Sequence, residues 1–83
     1  MANTITECDD TVYVLVSATD GIVQNKSPSP VRLIFAASLP AVDDDTYFIL
    51  PRNETMTKSA GVPAGNIYVR SQDGRKNNVV FAG

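Results

Sequence analysis

The chain has 83 residues, a net charge of −2 with a pI near 4.7, one cysteine and no histidine. That length holds one domain at most. A lone cysteine forbids an internal disulfide, and the lack of histidine and of a cysteine cluster excludes a structural zinc site. The seven basic residues are scattered and form no stripe for displacing counterions from nucleic acid, and no apolar run approaches the roughly 20 residues of a membrane span.

A chain this small buries only about 60% of the surface its unfolded form exposes, and one core of that size supplies roughly 3–5 kcal/mol. With disulfide and metal set aside, association is the remaining source of stability. The expectation is therefore a homo-oligomer or a lattice-bound chain. Residues 1–7 carry neither a basic nor an apolar leader segment, which predicts synthesis in the cytoplasm. The triplets Asn25-Lys26-Ser27 and Asn53-Glu54-Thr55 are read as chance matches to a glycosylation acceptor.

Val, Ile and Thr make up about a quarter of the residues, and these β-branched types favour a pleated, half-buried surface. Prolines at 28, 30, 40, 51 and 63 leave pieces too short for ordinary helices. Residues 1–10 read as an N-terminal arm or edge strand, and residues 11–83 as a single β-domain. The first clear strand spans 11–17, with Val12, Val14 and Val16 on one face and Tyr13 and Leu15 on the other. Apolar residues on both faces predict cover on both, by a second sheet or by a partner chain. Thr19-Asp20-Gly21 is a turn signal, and residues 21–25 read as the returning strand of a hairpin.

Residues 26–30, with Pro28 and Pro30, read as a loop. Residues 31–36 form the second strong strand, with Val31, Leu33 and Phe35 on one face. A polar loop follows over 37–46, with room for one short helical turn, and then the very apolar strand 47–50, stopped by Pro51. Residues 54–57 read as a weaker strand alternating with it, and 58–65 as a small-residue loop. The chain closes on Asn66-Ile67-Tyr68-Val69-Arg70-Ser71 and Asn78-Val79-Val80-Phe81-Ala82, read as a hairpin with Asp73-Gly74 in its turn. Ile67 and Val69 share one of its faces, Tyr68 and Arg70 the other. Six to eight short antiparallel strands predict an all-β fold, either a compact sandwich or a partly open barrel.

No constellation points to catalysis. Asp43-Asp44-Asp45 cannot aim three consecutive carboxylates at one cation from an extended chain, and it lacks the spacing of a calcium loop; it reads as a solvated turn. Asp9 and Asp10 read as charges that discourage wrong strand pairing. Cys8 has no histidine to activate it, so it reads as an idle or buried thiol. Lys58 and Ser59 are adjacent, a placement that rarely yields dyad geometry. Gly61-Val62-Pro63-Ala64-Gly65 lacks phosphate-loop spacing and reads as a turn. The residues singled out for interaction are Tyr13, Tyr47, Tyr68 and Arg70. They suit cross-strand packing, a protein interface, or a stacking platform for a ligand. No enzyme activity, cofactor or metal is expected.

From Val31 onward the chain resembles a group of small structural proteins of tailed bacteriophages. The pattern runs through Val31–Phe35, Ser38-Leu39-Pro40-Ala41, the acidic stretch 43–45, Tyr47-Phe48-Ile49-Leu50, Pro51-Arg52-Asn53-Glu54, Gly65-Asn66-Ile67-Tyr68-Val69-Arg70-Ser71 and Val79-Val80-Phe81. The likeness covers about 50 residues, is made of turns and strand faces, and leaves the first 30 residues unmatched. It implies a virion component, most naturally a capsid decoration or cement protein bound to the major capsid protein or other virion proteins. Many copies on a lattice would supply avidity. The alternatives are a tail or head–tail accessory protein and a small carbohydrate- or peptide-binding β-module. The surfaces expected to engage a partner are residues 2–10 and the aromatic and Arg residues of the last strands.

Overall fold

The computed structural model describes residues 3–60, 62 and 64–83; Ala2 of the N-terminal segment and Gly61 and Pro63 of the small-residue loop lie outside the described residues. Eight strands form: β1 (Asn3–Cys8), β2 (Val14–Ser17), β3 (Gly21–Asn25), β4 (Val31–Ala36), β5 (Phe48–Leu50), β6 (Thr55–Lys58), β7 (Asn66–Ser71) and β8 (Asn77–Ala82). They build two four-stranded antiparallel sheets that pack face to face as a β-sandwich. One sheet has the order β1-β8-β3-β6, the other β2-β7-β4-β5.

The pairing has a simple logic. β1 pairs with β8, β2 with β7, β3 with β6 and β4 with β5, as if one long hairpin with its tip at residues 37–47 had been laid down first. Two further pairings, β3 with β8 and β4 with β7, roll that ribbon into two sheets. This is the jelly-roll connectivity, an eight-stranded double-sheet solution.

The two expected hairpins are therefore absent. β2 and β3 lie in different sheets, as do β5 and β6, and so do β7 and β8. The strands themselves stand close to where they were read, but the turn residues between them carry the chain from one sheet to the other. A short polar segment can cross the roughly 10 Å between packed sheets as readily as it can reverse within one. Residues 72–76, around Asp73-Gly74, make such a crossing. Two strands also begin later than expected: Val12 and Tyr13 precede β2, and Tyr47 precedes β5. The loop 37–47 holds a turn closed by Asp44 N–H donating to the Ala41 carbonyl at 3.0 Å, in place of a helical turn.

Alternation decides the core. Val14, Val69, Leu33 and Phe48 lie opposite one another across the second sheet on its inner face, and Phe81, Val23 and Met56 do the same in the first. Cys8, Val31, Leu50, Ile67 and Val79 complete the buried layer between the sheets. A second, smaller cluster of Tyr13, Ile34 and Tyr68 sits on the outer side of the second sheet, flanked by Ala36 and Tyr47. The two-faced apolar pattern of this sheet is thus covered inside by the other sheet and outside, in part, by this chain's own loops.

The proline loop 26–30 is held by two buried asparagines. The Asn25 carboxamide donates to the Ser29 and Leu50 carbonyls at 2.8 and 3.0 Å and accepts from Ser27 N–H at 2.9 Å. Asn77 donates to the Ser29 carbonyl at 3.0 Å and accepts from the Ser29 hydroxyl at 2.9 Å. These bonds satisfy backbone groups that two prolines leave without ladder partners. At the other end, Gly65 takes φ +101° beside β4, where a Cβ would lie 2.8 Å from the Ala36 carbonyl carbon; only glycine fits. Residues 3–8, read as an arm or an edge strand, are the edge strand β1 of this chain's own sheet.

Candidate functional site

The outer face of the second sheet collects all four singled-out residues. Register places Leu15, Tyr68 and Ile34 side by side in one row, and Arg70, Arg32 and Ile49 in the next. Tyr13 comes to this face from the segment before β2, and Tyr47 from the end of the 37–47 loop. Each arginine stacks on a tyrosine: the Arg32 guanidinium carbon is 4.4 Å from the Tyr47 ring centroid, and that of Arg70 is 5.4 Å from Tyr13. Such cation–π contacts hold the flat guanidinium against the ring without neutralising its charge.

Burial grades across the face. Tyr13 and Tyr68 are buried and Arg70 is only 9% exposed, whereas the flanking Leu15 and Ile49 are 50% and 44% exposed. The Tyr13 hydroxyl donates to the Asp44 carbonyl at 3.3 Å, which ties the 37–47 loop over the centre of the face. Arg70 Nη1 donates to the Asp10 carbonyl at 2.7 Å, which ties down the segment between β1 and β2. Arg70 Nε is buried and has no hydrogen-bond partner. Arg32 Nε donates to Gln72 Oε1 at 2.6 Å. Among the described residues the ion pairs are Lys58–Asp20 and Lys76–Glu7, both at 3.9 Å, so neither arginine of this face forms a salt bridge.

Arg32 was not singled out from sequence. Its signal was present: with Val31, Leu33 and Phe35 turned inward, period-two alternation turns Arg32 and Ile34 outward. What sequence could not supply was the neighbour, because the β4–β7 register that sets Arg32 opposite Arg70 joins residues far apart in the chain.

The other candidates resolve into structural roles. Asp44 accepts from both the backbone N–H and the hydroxyl of Thr46, and these bonds hold its carboxyl below the usual range. Asp9 does the same with Thr11. No group of three or more ligating side chains occurs among the described residues. Burial pushes the Cys8 thiol up, partly offset by its contact with the Ser71 hydroxyl, so it is further from a thiolate than a free cysteine. Lys58 is buried and points at Asp20, while Ser59 exchanges backbone hydrogen bonds with Val62; the adjacent pair forms no dyad. No pocket forms among the described residues.

Neither a family model, nor a curated protein sequence, nor a solved structure is matched by this chain.

Proposed function

We propose that this protein is a non-enzymatic virion structural protein, a capsid decoration or cement protein that docks on a lattice of the major capsid protein. The observation that carries the reading is the outer face of the second sheet: two rows, Leu15, Tyr68 and Ile34 beside Arg70, Arg32 and Ile49, buried at the centre and exposed at Leu15 and Ile49. The exposed aliphatics Leu15 and Ile49, with the half-buried Arg32 and Tyr47 between buried neighbours, suit a broad protein surface. The jelly-roll connectivity supports the reading, since it occurs in viral capsid domains; it also occurs in lectins and cupins, so it does not set the function alone. The phage resemblance from Val31 onward adds the partner.

The decisive experiment is to quantify the chain in purified particles from a host that produces it. Hundreds of copies per particle support decoration. Tens or fewer assign it instead to the tail or the head–tail junction, and its absence from particles overturns the virion reading. The carbohydrate- or peptide-binding alternative draws on the half-buried Tyr47 stacked under Arg32. Specific retention on a glycan or peptide array, lost in Tyr47→Ala, would favour it over the virion role.

A further inference from the structure

Arg32 and Arg70 stand directly opposite each other on β4 and β7, with side chains on the same face. Directly opposed residues in antiparallel strands have Cβ atoms about 5 Å apart, and like charges there are destabilising. Proteins relieve such a pair with a carboxylate between the two cations, and this one does not. The two acidic residues whose backbone carbonyls touch the cluster, Asp10 and Asp44, form no ion pair with it, and the Asp44 carboxylate is already taken by Thr46. A packing role explains Arg70 Nη1, which holds the Asp10 carbonyl. It does not explain the buried Nε without an acceptor, nor the second guanidinium opposite. An unpaired buried donor on a charged group is costly unless something completes it.

We propose that Arg32 and Arg70 together form a binding site for an oxyanion, a carboxylate or a phosphate, on the outer face of the second sheet. Tyr47 and Tyr13 lie against the two guanidinium groups and restrict where they can move. Gln72 steadies Arg32 through its Nε, which leaves the Nη nitrogens as its remaining donors. Arg70 supplies the inner half of the site and the more exposed Arg32 the outer half. Guanidinium forks bind planar oxyanions through paired N–H bonds, and two forks give four or more donors to one group. The site stands independently of the virion reading: it concerns which chemistry this face accepts, whoever supplies it.

The test is an NMR titration of the wild-type protein that follows the arginine Nε–Hε signals. Sodium malonate, sodium phosphate and sodium chloride are added separately at constant ionic strength. Saturable shifts of the Arg70 and Arg32 signals with malonate or phosphate, absent with chloride, support the site. The tighter of the two anions tells whether a carboxylate or a phosphate is its natural group. Arg32→Gln, a substitution at a partly exposed position, should weaken that binding at least tenfold while the amide spectrum of the core is retained. Arg70→Lys, which keeps the charge but loses the fork, should weaken it as well. Shifts that grow linearly without saturating, shifts equal to those in chloride, or unchanged affinity in Arg32→Gln would each overturn the proposal.

Discussion

Asn25 holds three backbone groups at once from a fully buried position: the Ser29 and Leu50 carbonyls and the Ser27 amide. Removing its carboxamide strands all three where water cannot replace it, so the cost is a desolvation penalty as well as lost bonds. Asn25→Ala should lower unfolding stability by about 3 kcal/mol, read from urea denaturation, and a loss below about 1 kcal/mol would show that the loop 26–30 finds other partners. Thr46 offers a gentler test. Its hydroxyl and amide both hold the Asp44 carboxylate, which keeps the folded-state value below the unfolded value of about 3.9. A depressed carboxylate stabilises fully above the unfolded value and loses that contribution as pH falls through the lower folded one. Thr46→Val removes the larger of the two bonds, so Asp44 should titrate at a higher pH in carboxyl-detected NMR; an unchanged midpoint would show that the amide bond alone holds it.

At the scale of elements, strand existence was legible and strand pairing was not. Alternation along 31–36 and 66–71 places Val31, Leu33, Ile67 and Val69 inward, and they are core residues. That information is local, because each side chain's face follows from its neighbours in sequence. Asp20-Gly21 and Asp73-Gly74 mark changes of direction, which is all that turn chemistry encodes. Whether the chain then pairs with the strand it has just left depends on residues far along the chain, such as the ladders that join Gly21 to Lys58 and Ile22 to Ala82. The candidate face divides in the same way: Tyr68 and Arg70 share a side by local alternation, while Tyr13 and Tyr47 reach it through loops whose paths sequence does not specify. The 37–47 loop makes this testable. It is tethered to the face by the Tyr13 hydroxyl, so Tyr13→Phe should cost about 1 kcal/mol and speed amide hydrogen exchange at Asp44, while the signals of the inter-sheet core stay unchanged. Equal acceleration throughout the protein would mean that the loop is not a separately opening unit.

For the whole molecule, the important fact is that the first strand pairs with the last. β1 covers the flank of β8, and Ser71 is bonded to the Cys8 carbonyl through its hydroxyl and to the Asp9 carbonyl through its amide. Removing residues 1–8 should therefore abolish cooperative thermal unfolding rather than merely trim a tail; a truncated chain that still melted sharply near the intact protein's midpoint would show that β1 is dispensable. It follows that a partner contact through this segment must be probed by substitution on its outward side. Ile5→Lys is the suitable change, because Ile5 is 73% exposed and opposite Val80 on the outer face of the first sheet. Pairing between chain ends also requires distant residues to meet before the sheets are rewarded, which places this protein among the slower two-state topologies, folding in milliseconds to seconds.

The same pairing governs how the molecule would respond to tension. Asn3 lies opposite Ala82 in an antiparallel ladder, so the start of β1 and the end of β8 lie side by side. A pull on those ends loads the β1–β8 bonds one after another, as a zipper is opened, and never all six positions together as shear would. The fold is thus mechanically weak along its own termini, and a lattice that anchored it there would hold it by its softest seam. Anchored by the outer face of the second sheet, the same stress would be shared across several strands before any ladder had to open.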